Sequence, residues 1–128
     1  MKVKEVMLTK DKFPYVGSNE FLKEALDKMS EYKLGIICIL QENKLKGIIT
    51  DGDIRRKLLN VQKPFSAFFS DYVIDHAVTN PVVCSETDSL KFAIELMEKK
   101  QIWDLPVINN KGELVGLLHL HAAIKNFI

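Results

Sequence analysis

The chain has 128 residues, of which 47% are apolar and 27% charged, with a formal net charge of +1. So even a balance argues against a general nucleic-acid or anionic-membrane binder. No run approaches the roughly 20 apolar residues of a membrane span, and the length suits one domain or two half-domains sharing a core.

In chain order, Met1 to Lys12 alternates charged and apolar residues without the continuous apolar stretch of a secretory signal, so a cytoplasmic protein is expected. Ser18 or Asn19 is placed to cap a helix running to about Tyr32, with Phe21, Leu22, Ala25, Leu26 and Met29 on one face. Gly35 ends it. Ile36 to Leu40 is a short continuous apolar run, the pattern of a strand covered on both faces. A polar turn, Gln41 to Lys44, leads to a partner strand, Leu45 to Thr50. A short helix, Ile54 to Leu59, follows, with Asp53 as its N-cap. The connecting stretch carries Phe65, Phe68, Phe69 and Tyr72, enough aromatic surface to predict that it packs against the domain. A strand then begins at Pro81-Val82-Val83, and Thr87 or Asp88 caps a helix with Leu90, Ala93, Ile94 and Met97 on one face. The chain finishes with strand Leu105 to Ile108, a turn at Asn109 to Gly112, strand Leu114 to Leu120 and helix Ala122 to Phe127. Cys38 and Cys84 each sit in an apolar run and are expected as buried thiols, which suits a reducing compartment.

This order occurs twice. Gly47 and Gly116, Leu45 and Leu114, and Ile39 and Ile108 are each 69 residues apart, while the helices match at 68, Ala25 with Ala93 and Met29 with Met97. The fold class is therefore α/β, two pseudo-symmetric β-α-β-β-α repeats packed as one pair. The first repeat spans 1–60, a linker 61–73 and the second repeat 74–128. A repeat of this size buries too little surface to be comfortably stable alone, so the halves are expected to pack together, with a ligand cleft where they join.

The segment Thr50-Asp51-Gly52-Asp53-Ile54-Arg55-Arg56 concentrates the chemistry. A hydroxyl at Thr50 and a carboxylate at Asp53, converging at a strand-to-helix turn with Asp51 between them, suit the vicinal hydroxyls of a ribose or sugar. Arg55 and Arg56, the chain's only arginines, supply planar forks for phosphate or carboxylate. The plainer reading is that Asp53 caps a helix and the arginines are solvated. His119 and His121 sit two apart at the same place in the second copy and would share a strand face. Metal ligation, lining of a ligand site and a solvated strand end all fit them; a metal would need further ligands, and none is assigned. Trp103 is either an aromatic wall or core. No nucleophile elbow, phosphate loop or acid/base carboxylate couple occurs, so no catalytic residue is assigned.

Two such copies, each with a glycine-led strand entering a helix and T-x-x-D in the first, resemble a tandem CBS pair (Bateman module) over essentially the whole chain. The resemblance implies a regulatory module that binds adenosyl or other nucleotide ligands, with Thr50 and Asp53 at the ribose-contacting positions. Val3-Lys4-Glu5-Val6-Met7, Lys12-Phe13-Pro14-Tyr15-Val16, Gly47 to Arg56 and Leu118-His119-Leu120-His121 further resemble the CBS pair at the C-terminus of arabinose-5-phosphate isomerases. In those enzymes a sugar-isomerase (SIS) domain precedes the pair and works in Kdo synthesis. This likeness implies a non-catalytic module that senses AMP, ADP, ATP or a nucleotide-sugar such as CMP-Kdo, requires no cofactor, and forms a homodimer by stacking of pairs. It would modulate an isomerase-type parent, with no nucleic-acid or membrane partner. A CBS pair of a sugar nucleotidyltransferase and a ligand-free dimerisation module are the alternatives. The second copy departs from the motif, with His119 where Ser or Thr is usual and Ala122 in place of Asp.

Overall fold

The computed structural model describes residues 1–60 and 63–127. It contains two compact units, one formed by Pro14–Pro81 and the other by Met1–Phe13 together with Val82–Ile128. Residues 1–13, at the start of the first repeat in sequence, thus pack in one unit with Val82–Ile128.

In the Pro14–Pro81 unit the order is β1 (Tyr15–Gly17), α1 (Leu22–Tyr32), β2 (Ile36–Gln41), β3 (Lys44–Thr50) and α2 (Asp51–Asn60). The sheet order is β1-β2-β3, with β1 parallel to β2 and β2 antiparallel to β3. Ile36 to Leu40 is buried throughout, as the unbroken apolar run demands of a central strand. The hairpin turns at Glu42 and Asn43, both at positive φ (53° and 66°), the pairing a two-residue turn between twisted strands needs. Val16, Ala25, Ile37, Ile39 and Phe68 lie in its core. The other unit repeats the plan with β4 (Cys84–Ser85), α3 (Leu90–Lys100), β5 (Asp104–Ile108), β6 (Leu114–His119) and α4 (Leu120–Phe127), in sheet order β4-β5-β6. Its core includes Val3, Leu90, Met97, Leu105 and Leu118.

Several boundaries differ from the sequence reading, for one recurring reason. The first N–H groups of a helix need acceptors, and here segments remote in sequence supply many of them. Neither Ser18 nor Asn19 caps α1; Phe21 is its N-cap without a side-chain bond, because Leu22 N donates to Asp71 O (2.9 Å) and Lys23 N to Phe69 O (3.2 Å). In the second copy the cap is Ser89, whose Oγ accepts from Phe92 N, rather than Thr87 or Asp88, and Leu90 N donates to Met1 O at 2.8 Å. The two arrangements correspond. Phe21 bridges Tyr72 as Ser89 bridges Lys2, and Ile48 bridges Val78 as Leu117 bridges Leu8. The strand expected at Pro81-Val82-Val83 is instead the two-residue β4, Cys84–Ser85. Helix α1 ends through left-handed Lys33 (φ 57°), two residues before Gly35.

The matched glycines Gly47 and Gly116 make these bridges feasible. A Cβ on Gly47 would stand 2.9 Å from Val78 O, and one on Gly116 2.9 Å from Leu8 O, with Met7 Sδ closer still. Only a residue without a side chain admits the crossing segment.

The aromatic stretch does pack on the Pro14–Pro81 unit. Phe68 is buried, and Asp71 Oδ2 ties the segment together by accepting from Lys63 Nζ (3.3 Å) and pairing with His76 Nε2 (2.7 Å). The His76 hydrogen bond is the main cause holding the Asp71 carboxyl below its ordinary value, with Lys63 adding to it.

Candidate functional site

Thr50 is the last residue of β3 and Asp53 the third of α2. Helix α2 starts at Asp51, three residues earlier than Ile54, and this changes the role of Asp53: Thr50 is the cap and Asp53 its reciprocal partner. Thr50 N and Thr50 Oγ1 both donate to Asp53 Oδ2 at 2.9 Å, and Asp53 N donates back to Thr50 Oγ1 at 3.3 Å. This is a capping box closed by a carboxylate. Arg56 Nη2 completes the group by donating to Asp53 Oδ1 at 2.8 Å. The Asp53 side chain is 18% exposed against 58% for Arg56, so the carboxylate is recessed and its cation lies outside it.

Thr50, Asp53 and Arg56 are therefore one bonded cluster, and the other residues in the segment stand apart from it. Asp51 N donates to Gly35 O at 3.0 Å, and its Oδ2 lies 2.7 Å from where a Cβ on Gly35 would stand. It opens onto a groove of about 710 Å3 flanked by Lys23, Asp27, Lys33, Phe65 and Phe69. Asp53 instead borders a small apolar hollow with Ile54, Leu58, Phe65, Phe68 and His76. Arg55 is exposed and has no ion-pair partner among the described residues.

His119 and His121 belong to the other unit and do not share a strand face. His119 ends β6, whereas His121 is already in α4 and exposed, because the helix begins at Leu120. His119 Nδ1 pairs with Asp104 Oδ1 at 2.8 Å, and β-pairing places these two residues opposite each other. Ala122 sits in the first turn of α4, a turn without acidic residues, so no carboxylate closes a box onto His119. Sequence reasoning did not select Asp104 as a partner; its signal was the strand register itself, which sets position 104 against 119. Trp103 is 71% exposed and is not core.

No cluster of three or more His, Cys, Asp or Glu suited to a metal occurs among the described residues, and no described helix is long and apolar enough to cross a membrane. Cys38 and Cys84 are both buried. Burial pushes the Cys84 thiol up to about 12, with Asp88 contributing, so it is no nucleophile at neutral pH.

Two sheets of the same topology, each running a glycine-containing strand into a helix, define a tandem α/β repeat fold, and comparison with known proteins gives the family. The CBS domain model matches twice, at residues 3–60 and 72–128. The chain belongs to the CBS domain family, with the two copies forming a CBS pair. It is 30% identical over 126 residues to the arabinose 5-phosphate isomerase KdsD of Francisella tularensis, covering 98% of this chain and 37% of that protein. Against a probable arabinose 5-phosphate isomerase of Haemophilus influenzae it is 31% identical over 118 residues, covering 91% and 33%. The chain thus spans little more than a third of the curated relatives it matches. Among solved structures, CBSX2 in complex with AMP superposes with a TM-score of 0.85 at 23% identity, covering 98% of this chain and 95% of that one. The CBS pair of MJ0100 in complex with 5-methylthioadenosine and S-adenosyl-L-methionine gives 0.79 at 22%, covering 99% and 95%.

Proposed function

We propose that this chain is a ligand-sensing regulatory module whose first repeat binds a nucleotide or nucleotide-sugar through Thr50 and Asp53. The observation that carries the reading is the recessed Asp53 carboxylate, fixed by Thr50 and Arg56 at a strand-to-helix junction. Oδ2 already accepts two bonds, but Oδ1 retains one lone pair and Thr50 Oγ1 another, so a vicinal diol can donate one hydroxyl to each without breaking the existing bonds. Arg55 and Arg56 balance the charge, Asp51 borders the approach, and His119 and His121 are the ligand-contacting residues of the second repeat. AMP in CBSX2, with 5-methylthioadenosine and S-adenosyl-L-methionine in MJ0100, favours an adenosyl ligand such as AMP. The isomerase relatives favour CMP-Kdo, and with it a SIS-containing parent enzyme that the module modulates in the cytoplasm. No cofactor is required. In this scheme 1–60 and 74–128 are the functional repeats and 61–73 the linker. Binding regulates only through different affinity for two states of the parent.

Calorimetric titration with AMP, ADP, ATP, CMP and CMP-Kdo tests the reading. Saturable binding of one of them, weakened in Asp53→Ala, is expected; unchanged affinity in a folded Asp53→Ala protein refutes the site.

A second reading, a homodimerisation module that needs no ligand, draws on α2. That helix buries no residue and leaves Leu58 and Leu59 41% and 74% exposed. Of its apolar residues Ile54 packs against the core, and a helix that leaves two leucines this exposed is unusual without a partner. If this is the whole function, Leu59→Lys yields a monomer by light scattering, while nucleotides alter neither the dimer nor the melting temperature.

A further inference from the structure

The two adjacent arginines of α2 are held differently. Arg55 is exposed and without an ion-pair partner among the described residues, whereas Arg56 folds back along the helix. Its Nη2 reaches Asp53 Oδ1 at 2.8 Å. Its Nη1 and Nη2 also lie 3.2 and 3.4 Å from the point where a Cβ on Gly52 would stand. Gly52 occupies the first turn of a regular helix, where almost any other residue is a better helix former. No turn or left-handed conformation asks for glycine there; the space above its Cα is what the guanidinium uses.

This fixes a cation against the site. One arm of the fork binds Asp53, and the remaining donors of a group more than half exposed stay available. Asp53 alone would repel a phosphate arriving with the hydroxyls it binds. Arg56 cancels that charge and offers bidentate geometry to an oxyanion. The Arg56–Asp53 pair is too exposed to resist a small swing of the guanidinium toward a ligand. We propose that Gly52 and Arg56 make the Thr50–Asp53 site selective for phosphorylated ligands over neutral ribosides. The inference rests on reading Thr50 and Asp53 as the hydroxyl-binding pair.

Calorimetry of the 128-residue chain with AMP and adenosine as probes tests it, with circular dichroism to confirm that each variant folds. The expected wild-type preference for AMP is roughly ten- to hundredfold, the worth of charge-assisted hydrogen bonds. Arg56→Gln should weaken AMP binding far more than adenosine binding and so remove most of that preference. Gly52→Ala, which pushes the guanidinium aside by a few tenths of an ångström, should remove part of it. Lys57→Gln deletes the same charge one position along and should preserve it, separating contact from long-range field. Equal affinity for both probes, a preference that survives Arg56→Gln, or one lost equally in Lys57→Gln overturns the proposal; so does loss in Arg55→Gln alone. If adenosine binds and Asp53→Ala abolishes that binding, the hydroxyl-site reading stands whatever the ratio shows. No binding of either probe to the wild type overturns both.

Discussion

Replacing Asp53 by alanine separates structure from recognition, because the carboxylate closes the cap and, in the proposed site, also binds the ligand. Without ligand it accepts Thr50 N and Thr50 Oγ1 at 2.9 Å and closes the capping box on α2. Loss of such a cap costs about 1 kcal/mol; the Arg56 contact adds little, since the guanidinium is 58% exposed. For a chain of 128 residues the unfolding entropy corresponds to a fall in Tm of about 3–5 °C per kcal/mol. With ligand, deleting hydrogen bonds to a charged acceptor costs about 1–3 kcal/mol more, so affinity drops roughly five- to 150-fold. Differential scanning calorimetry with and without AMP reads both quantities. The expected result is a lower Tm for the free variant and a much smaller rise on adding AMP. If the free Tm falls but the AMP-induced rise matches wild type, Asp53 is a cap only and the recognition argument fails. If the free Tm is unchanged, the capping box contributes nothing.

Three other outcomes follow from the packing and the titrations. Gly116→Ala should cost about 1–3 kcal/mol by urea denaturation, because the new Cβ meets Leu8 O at 2.9 Å and the Met7 side chain; Gly17→Ala, where a Cβ meets nothing within 4 Å, is the control. The Asp71 carboxyl is held below its ordinary 3.8, chiefly by the His76 hydrogen bond, so its contribution is present above that value and lost as pH falls through the lower folded value. Asp71→Asn should therefore be less stable than wild type at pH 6, with the gap closing as pH falls below 3.8, and a gap of constant size throughout would refute the linkage. Cys84, raised to about 12 by burial, should resist iodoacetamide at pH 8 until urea unfolds the chain; fast labelling of the native protein would contradict its burial.

The isomerase relatives are longer than this chain, which matches 37% of the Francisella protein. The departures in the second copy are chemical as well as positional. Where the first repeat has a hydroxyl bonded to a helix carboxylate, the second has an imidazole bonded to Asp104 on the neighbouring strand. Two repeats with one backbone plan thus present different functional groups at equivalent junctions.

The sequence by itself was enough for the duplication, the β-α-β-β-α order, the burial of Ile36 to Leu40 and the placing of Thr50 at a strand-to-helix junction, because these depend on periodicity and on neighbours a few residues away. Tertiary structure decided the rest. Which atoms satisfy the first turns of α1 and α3 was settled by carbonyls of Asp71 and Met1, about 50 and 90 residues distant along the chain, and backbone carbonyls carry no side-chain signature. The same holds for His119, whose partner Asp104 is adjacent only once β5 pairs with β6. Gly47 and Gly116 were visible as repeat markers, but the crossing segments they admit could be seen only after the chain had returned to meet them. Asp53 as a capping partner turned on a three-residue shift in where α2 begins, since hydrogen bonding to Thr50 outweighs the weak helix propensity of Asp51 and Gly52.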